Sequence, residues 1–426
     1  MLRFDSTEKD SVQIASYPAE LKKRVPDLVD PAPFWWSAVI GLSLLCLGAT
    51  YIDAQFGPPA GSSASWTRIV SLGKFSLTGE NSIGSWWSGV LLLLASVLAM
   101  DGFVRKQGRS LRERTAWACL GLVLLILSLD EVGSLHERVG KYLPPYGWWA
   151  LLPFVVLLAA LATHGLSVLM NEKRGRTAAV LIATAFGMFA LVAVQEELEH
   201  RTRWWGSLPG LRAALEEGTE IAAMLLLLAT ISRYASADPA GQQDSATRAL
   251  SLLDLYPRSI ATVLALTAAP LAYVTMHMPG ADPGTKLGLP ANWLGSVAFL
   301  LAALVVVRPV LWSSGPRRRQ STSELVIAAS CVLMSVASVA IPGLLTISGK
   351  SMLLLAACTV VAFAWQVGQS SAARQRRAIW ATSLVILAGL PLLLKSSILL
   401  MIVLPLCGAV VYLGSHSFFV ADSDAR

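Results

Sequence analysis

The chain has 426 residues, of which 54% are hydrophobic and only 14% are charged, and its mean hydropathy is +0.59. Soluble domains carry about 25% charged residues, so this composition excludes an ordinary soluble protein and predicts an integral membrane protein. The net charge of +7 requires no nucleic-acid partner, because Lys and Arg collect in the cytoplasmic loops of membrane proteins, beside anionic lipid.

Apolar runs recur along the chain after a polar start. The first 33 residues contain no early apolar region with a small-residue cleavage site, so a removable signal peptide is not expected. A membrane-spanning helix needs roughly 20 apolar residues. The runs predict an all-α, polytopic transmembrane helix bundle of about twelve spans, at 35–54, 83–101, 116–136, 148–170, 177–199, 210–232, 258–277, 292–312, 324–341, 351–369, 378–394 and 397–415.

A polar stretch at 236–247 separates six predicted spans from six more. The predicted organisation is a cytoplasmic tail at 1–33, a six-span half at 34–234, a cytoplasmic linker at 235–257, a second six-span half at 258–415 and a tail at 416–426. The halves share a faint similarity, too weak to indicate a repeat, in which Gly73-Lys74, Trp86 and Gly89 correspond to Thr285-Lys286, Trp293 and Gly295.

Basic residues predict the orientation of the spans. With a cytoplasmic N-terminus, most Lys and Arg fall in segments on the cytoplasmic side, which include 22–24, 105–114, 173–176, 317–319 and 374–377. The positive-inside rule therefore predicts that both termini are cytoplasmic and that the protein is a multi-pass protein of the cell membrane.

Several other residues of the spans have a simple structural interpretation. The Trp-Trp pairs at 35/36, 86/87, 148/149 and 204/205 are predicted to form interfacial belts. Asp101 is expected to be a solvated charge at a span end. The cysteines lie within predicted spans without a CxxC pair and are expected to pack as small apolar side chains; they are Cys46, Cys119, Cys331, Cys358 and Cys407.

Three acidic clusters stand at the ends of predicted spans in the first half. The first contains Asp130, Glu131, His136 and Glu137, the second Glu196, Glu197, Glu199 and His200, and the third Glu216, Glu217 and Glu220. A charge at the bilayer centre costs about 2.5–3.5 kcal/mol on insertion scales. Such residues are therefore candidates for function.

The predicted topology brings the three clusters to one side of the membrane. Spans three and five run outward and end in the first and second clusters, and span six begins outside with the third. Glu80, just before span two, comes to the same side. Glu197 and His200 are one helical turn apart and share a face. His136 joins them only if span three unwinds near Gly133, because a five-residue step from Glu131 rotates by about 140°.

So many carboxylates cannot all stay ionised near one another, so they require protons, water or bound cations. A divalent metal such as Fe, Mn or Zn is one solution. The Glu197-x-x-His200 unit resembles the Glu-x-x-His unit of di-iron carboxylate bundles, although a second such unit is missing. Predicted ligands are Glu80, Glu131, Glu197, His200, Glu217 and Glu220, predicted catalytic residues are Asp130 and His136, and Arg201 and Arg203 are predicted to hold a phosphate head group.

The run Ser128-Leu129-Asp130-Glu131, followed by His136-Glu137 and preceded by Glu80-Asn81 and Trp86-Trp87, resembles that of uncharacterised bacterial multipass inner-membrane proteins. The resemblance covers roughly the first 230 residues. It implies a bacterial inner-membrane location and brings no activity with it.

Three functional hypotheses follow. The first is a membrane-embedded enzyme, with a carboxylate and histidine metal site at the outer side, acting on a lipid or lipid-linked substrate; a multipass glycosyltransferase is a variant of this class. The second is a proton- or cation-coupled transporter, since intramembrane acids form proton relays. In the third, the acids are structural and pair with outer-side basic residues, namely Arg138, Lys141, Arg201, Arg203 and Arg212.

Overall fold

A computed structural model of the chain describes residues 31–56, 75–78, 82–104, 110–133, 151–172, 175–202, 208–234, 293–294, 296–304, 328–329, 331–332 and 335–336. Within these ranges the chain is helical, with short turns and no strand. Six long helices fall among them, which are α1 (Pro31–Phe56), α2 (Ile83–Val104), α3 (Leu111–Gly133), α4 (Leu152–Asn171), α5 (Arg176–Thr202) and α6 (Pro209–Tyr234). The all-α prediction is confirmed for this part of the chain.

Five of the described helices, α1 to α5, are long and apolar enough to cross a membrane. They correspond to the first five predicted spans, which supports the membrane-protein class. The sixth predicted span is the 26-residue helix α6, whose first half is less apolar because it carries the third acidic cluster. Of the predicted spans in the second half, only 293–294 and 296–304 of one and short pieces at 328–336 of the next are described.

Helix α3 begins earlier than the predicted residue 116 because a polar cap extends it. The backbone N–H of Glu113 donates to Ser110 Oγ at 3.1 Å, which satisfies one of the free donors at a helix start. Arg114 Nε donates to the carbonyl oxygen of Phe103 at 2.6 Å, and its guanidinium lies 5.3 Å from the Phe103 ring centroid. These contacts tie the start of α3 to the end of α2.

Helices α2 and α3 form an antiparallel hairpin that packs closely through small residues. Ser96 Oγ donates to the carbonyl oxygen of Gly121 at 2.7 Å, and Ser128 Oγ donates to that of Gly89, also at 2.7 Å. Glycine and serine permit such an approach between apolar helices because they place little bulk between the backbones.

Five of the helices form a ring. Helix α2 packs against α3 and α6, α3 against α4, α4 against α5, and α5 against α6. Helix α1 lies outside this ring against α6. There the backbone N–H of Gly210 donates to Gln55 Oε1 at 3.1 Å, and a Cβ on Gly210 would meet the carbonyl oxygen of Tyr51 at 2.8 Å. The order of helices around the ring fixes which acidic clusters are neighbours.

The helix directions define two ends of the bundle. Gly210 at the start of α6 meets the end of α1. The N–H of Leu77, just before α2, donates to Thr50 Oγ1 near the end of α1 at 2.8 Å. Gly89 near the start of α2 contacts Ser128 near the end of α3. The ends of α1 and α3 and the starts of α2 and α6 therefore lie together, and the predicted topology brings the end of α5 and the start of α4 to the same end. We call this the acid-bearing end, because each of the three acidic clusters begins on one of these helices.

Helix α4 is packed at the opposite end and stands apart toward the acid-bearing end. Near the opposite end, a Cβ on Gly165 would meet Leu120 Cγ at 2.9 Å and the carbonyl oxygen of Ala116 at 3.1 Å. Residues 152–157 are all exposed; Val156, for example, is 57% exposed. Six consecutive residues point in every direction around a helix, so none of the described helices packs closely around this stretch of α4.

Trp86 and Trp87 are buried in the protein, so the prediction of an interfacial belt is wrong for this pair. Trp87 Nε1 donates to Ser43 Oγ of α1 at 2.9 Å. Trp86 Nε1 lies within hydrogen-bond distance of Ser296 Oγ, at 3.2 Å, and of Ser335 Oγ, at 3.1 Å. Hydroxyl acceptors on neighbouring helices make burial of both indoles favourable, because each N–H keeps a partner.

The burial of Asp101 and of the cysteines tests two further expectations. Asp101 is fully buried, so the expectation of a solvated charge is wrong, and it takes part in at least one polar interaction. Cys46 and Cys331 are fully buried, as expected for small apolar packing residues. Cys119 is only partly buried, and the remaining cysteines lie outside the described residues.

Candidate functional site at the acid-bearing end

The first acidic cluster begins in the last turn of α3. Asp130 and Glu131 are both partly buried, and each takes part in at least one further polar or electrostatic interaction. Glu131 follows Leu120 by eleven residues, which returns it to within about 20° of the same helix face. That face contacts α4 at Leu120. Glu131 therefore lies on the α4 side of α3.

At the level of this acid pair, α4 has separated from α3. The two helices touch where Gly165 meets Ala116 and Leu120, and the predicted topology makes them antiparallel. Moving about 18 Å along both helices, at 1.5 Å per residue, leads from this contact to Asp130 on α3 and to the exposed start of α4 at 152–157. The carboxylates thus stand beside a gap between two helices of the ring.

The third acidic cluster lies in the first half of α6. Gly218 faces α1, since a Cβ there would meet Leu47 Cδ1 at 3.4 Å. Glu216 and Glu220 are each about 160° from Gly218 around the helix, so they lie on the opposite side of α6. That side carries the buried residues Ala223 and Leu227. Glu216, Glu217 and Glu220 are partly buried and have polar interactions.

One of the predicted ion pairs is present. Arg212 Nε lies 3.7 Å from Glu216 Oε2, one turn apart on α6. The arginine side chain is 38% exposed and the glutamate 18%, a setting in which such a pair contributes about 0.3–0.5 kcal/mol. This contact supports a structural role for Glu216.

The second acidic cluster lies on a continuous helical backbone, because α5 runs unbroken to Thr202. Glu197 and His200 are therefore one helical turn apart along the backbone of α5. Their side chains, with those of Glu196, Glu199 and Arg201, lie outside the described residues, as do Glu80, His136, Glu137 and Arg203 altogether.

Gln195 is a polar residue of this region that the sequence interpretation missed. It directly precedes the second cluster, and its Oε1 is buried without a hydrogen-bond partner among the described residues. An amide at the end of an otherwise apolar run was the available signal. A buried amide oxygen with no partner is costly, so Gln195 is a candidate site residue.

The structure brings the helix ends together but leaves the predicted metal site incomplete. Among the described side chains, no group of three His, Cys, Asp or Glu could hold a metal ion. Asp130 and Glu131 on α3 are separated from the third cluster on α6 by α2 in the ring. Glu197 and His200 of α5 are further predicted ligands of such a site.

A family model for a domain of unknown function (DUF8692) matches residues 39–234. The match begins within α1 and ends with α6, so it coincides with the six-helix half that contains all three acidic clusters. No curated protein and no solved structure matches the chain.

Proposed function

We propose that the protein is a membrane-embedded enzyme that acts on a lipid or lipid-linked substrate at the acid-bearing end. The observation that carries this proposal is the position of Asp130 and Glu131 beside the gap between α3 and α4. A helix that is exposed on every side within a bilayer is surrounded by acyl chains. The gap therefore gives a lipid head group a lateral route to carboxylates that a water-soluble substrate would not need.

The proposed site is a divalent metal centre of carboxylates and histidine, with Fe, Mn or Zn as the metal. Glu131, Glu217 and Glu220 are partly buried at the acid-bearing end. Glu197 and His200 are one turn apart on the continuous helix α5, which the predicted topology brings to the same end. Carboxylate and imidazole ligands suit these metals, and a bound metal would supply an activated water or a Lewis acid. Glu80 completes the proposed ligands, Asp130 and His136 are the proposed general bases, and Arg201 and Arg203 the proposed head-group contacts.

We also propose twelve spans with both termini cytoplasmic, in a bacterial inner membrane. The predicted topology requires consecutive helices to alternate in direction, and the contacts between α2 and α3 support it for this pair. Tyr234 ends α6 at the opposite end from the acid-bearing end, whereas Trp293 lies beside Ser128 near the acid-bearing end. A predicted span at 258–277 would connect these two positions.

A metal measurement tests the enzyme proposal. The full-length protein, purified in mild detergent without chelators, is expected to retain about one or two equivalents of Fe, Mn or Zn. His200→Ala should lose the metal and keep its thermal stability, because a ligand is lost while helix packing is unchanged. His164→Ala is the matched control, since His164 is an exposed histidine of α4 away from the acid-bearing end. Wild-type protein that binds no metal, even after reconstitution, would contradict the proposal.

A coupled transporter is the second candidate, and the packing of the two halves favours it. Trp86 of the first half reaches two serines of the second half, and carriers are commonly built from two halves around a shared interface. The position of the clusters speaks against it, since all three lie in one half and at one end. A metal-free wild-type protein would shift the balance toward the transporter or toward structural acids.

The remaining alternative is that the acids are structural and form ion pairs with basic residues. The Arg212–Glu216 pair favours it at one position. If the second cluster is also structural, Glu197→Gln should lower the melting temperature, because a basic partner such as Arg201 loses its ion pair. Combining it with Arg201→Gln should then restore stability. If Glu197 is instead a metal ligand, combining Glu197→Gln with Arg201→Gln should restore neither the stability nor the bound metal.

A further inference from the structure

Two tryptophans make reciprocal hydrogen bonds between the halves of the chain. Trp86 Nε1 lies 3.1 Å from Ser335 Oγ, and Trp293 Nε1 lies 3.1 Å from Ser128 Oγ. Trp86 and Trp293 are 207 residues apart in sequence, and so are Ser128 and Ser335. In each half, the indole of the tryptophan therefore hydrogen-bonds to a serine of the other half, and the two serines occupy equivalent positions.

The same offset aligns a third contact. Ser128 Oγ donates to the carbonyl oxygen of Gly89 at 2.7 Å, and the residue 207 positions after Gly89 is Ser296, whose hydroxyl lies 2.8 Å from that of Ser335. In both halves, the serine of the second helix touches the residue three positions after the tryptophan of the first. The contacts within each half thus repeat as well as the contacts between the halves.

Sequence and burial agree with this register. Val90, Leu93, Leu94 and Ala95 recur as Val297, Leu300, Leu301 and Ala302, and all eight side chains except that of Leu94 are buried. On the second helix of each pair, Gly121, Leu122 and Leu124 are buried, exposed and buried in turn. Ala328, Ala329 and Cys331 show the same order. A chance hydrogen bond between unrelated helices would not preserve a constant offset on two helices at once.

Reciprocal contacts of this type are those of an isologous, two-fold interface, in which residue i of one copy meets residue j of the other and the reverse. Trp86 stands in the first turn of α2, and Trp293 and Ser296 at the start of the described helical residues 293–304. Because Trp86 contacts Ser296, the two helices begin at the same end of the bundle. The two-fold axis then runs roughly along the helices.

We infer that the surface of α2 and α3 formed by Trp86, Gly89 and Ser128 is a two-fold docking surface, and that its partner is a second copy of the same helix hairpin. The chain supplies that copy itself, in the segment that contains Trp293, Ser296 and Ser335, through an internal duplication with an offset of 207 residues. The family match at 39–234, which covers one half alone, agrees with a unit of this size. This inference is independent of the proposed enzymatic activity.

The two copies have diverged at the acid-bearing end. The offset aligns Asp130 and Glu131 with Ala337 and Ser338, so the acid pair occurs only in the first copy. The second copy keeps the tryptophan and serine of the interface and has lost the carboxylates. It therefore serves as the partner that covers the docking surface, and the first copy carries the acidic clusters.

Association of the two halves tests this inference in the full chain. A protease site placed within 236–247 allows the purified protein to be cut in mild detergent, with an affinity tag on the N-terminal half. Trp86→Phe and Trp293→Phe should each lower retention of the C-terminal half by a similar factor of about two- to tenfold, as for loss of one buried hydrogen bond. Trp87→Phe is the matched control and should retain it as the wild type does, since Trp87 bonds to Ser43 within the first half.

Two outcomes would overturn the inference. One is a loss of association with only one of the two interface tryptophans, and the other is an equal loss with Trp87→Phe. If a tryptophan variant fails to fold, Ser128→Ala and the pair Ser296→Ala with Ser335→Ala remove the same hydrogen bonds with less loss of volume. They should lower retention to similar extents, and a difference between them greater than tenfold would contradict a two-fold interface.

Discussion

The hydroxyl of Ser128 donates a hydrogen bond of 2.7 Å to the carbonyl oxygen of Gly89. Its oxygen also lies 3.1 Å from the indole nitrogen of Trp293, whose N–H it can accept. A serine hydroxyl has one hydrogen and two lone pairs, so one side chain joins α2, α3 and the second half of the chain. Ser128 is fully buried, where a polar group without a partner would be costly.

Ser128→Ala is expected to destabilise the protein more than Ser335→Ala. Without Ser128, the indole N–H of Trp293 loses its acceptor, because the position equivalent to Ser296 is Gly89, which has no hydroxyl. Without Ser335, Trp86 keeps Ser296 as an acceptor at 3.2 Å. Leaving a buried donor unpaired costs about 1–3 kcal/mol. Thermal unfolding of both variants in one detergent measures the difference, and a larger effect of Ser335→Ala would contradict it.

Gly165→Leu is expected to separate α4 from α3 and to lower the melting temperature. A Cβ at Gly165 already meets Leu120 and the carbonyl oxygen of Ala116, and overpacking of this type costs about 1–3 kcal/mol. Gly187→Leu is the matched control on α5, where no atom lies within 4 Å of the added Cβ. Unfolding followed by intrinsic fluorescence compares the two, and equal melting temperatures would show that the Gly165 contact is dispensable.

Gly84→Ala is expected to disturb the entry of the chain into α2. The added Cβ would meet the carbonyl oxygen of Ser76 and would lie 2.9 Å from Leu77 Cα, and these backbone atoms cannot rotate away. Gly48→Ala on α1 meets nothing within 4 Å and should be neutral or stabilise by up to about 1 kcal/mol through helix propensity. Expression level and thermal stability measure both changes. A stable Gly84→Ala protein would mean that residues 75–78 are not held against α2.

Cysteine labelling is expected to report opposite sides of the membrane for the two ends of the bundle. Asn171 at the opposite end and Leu208 at the acid-bearing end are both exposed. In a background where all five native cysteines are replaced by alanine, an impermeant maleimide should label Leu208→Cys in intact cells and reach Asn171→Cys only after lysis. The reverse pattern would invert the proposed topology and turn the acidic clusters toward the cytoplasm.

The positions of the helices in the first half could be predicted from the sequence, because each has an uninterrupted apolar run of the length that a bilayer requires. Their ends were less accurate. Helix α3 starts at Leu111 because Ser110 and Phe103 provide acceptors to a charged first turn, and those contacts depend on the fold. The burial of Trp86 could not be predicted, since an indole at a span end satisfies its N–H equally well at the lipid interface or against a serine 210 residues away.

The candidate site was predicted in part. Sequence and topology predict that the acidic clusters share one end; the contacts of α3 and α6 place the first and third clusters there, and the position of the second stays a prediction. The separation of α4 from α3 could not be predicted, because Gly165 alone does not reveal which helix it touches or where the contact ends. The duplication was also missed, since the faint similarity paired Gly89 with Gly295. The hydrogen bonds show that the residue equivalent to Gly89 is Ser296, one position later.

The separation of α4 has a mechanical consequence for the membrane around it. Among its described residues, α4 is buried at Gly165, Val168 and Leu169, and its exposed part faces the lipid, so its tilt is set partly by the bilayer. Hydrophobic length and bilayer thickness adjust to each other at a modest cost per ångström. The width of the gap beside Glu131 should therefore follow acyl-chain length, and a thicker membrane, by drawing α4 upright, should narrow it.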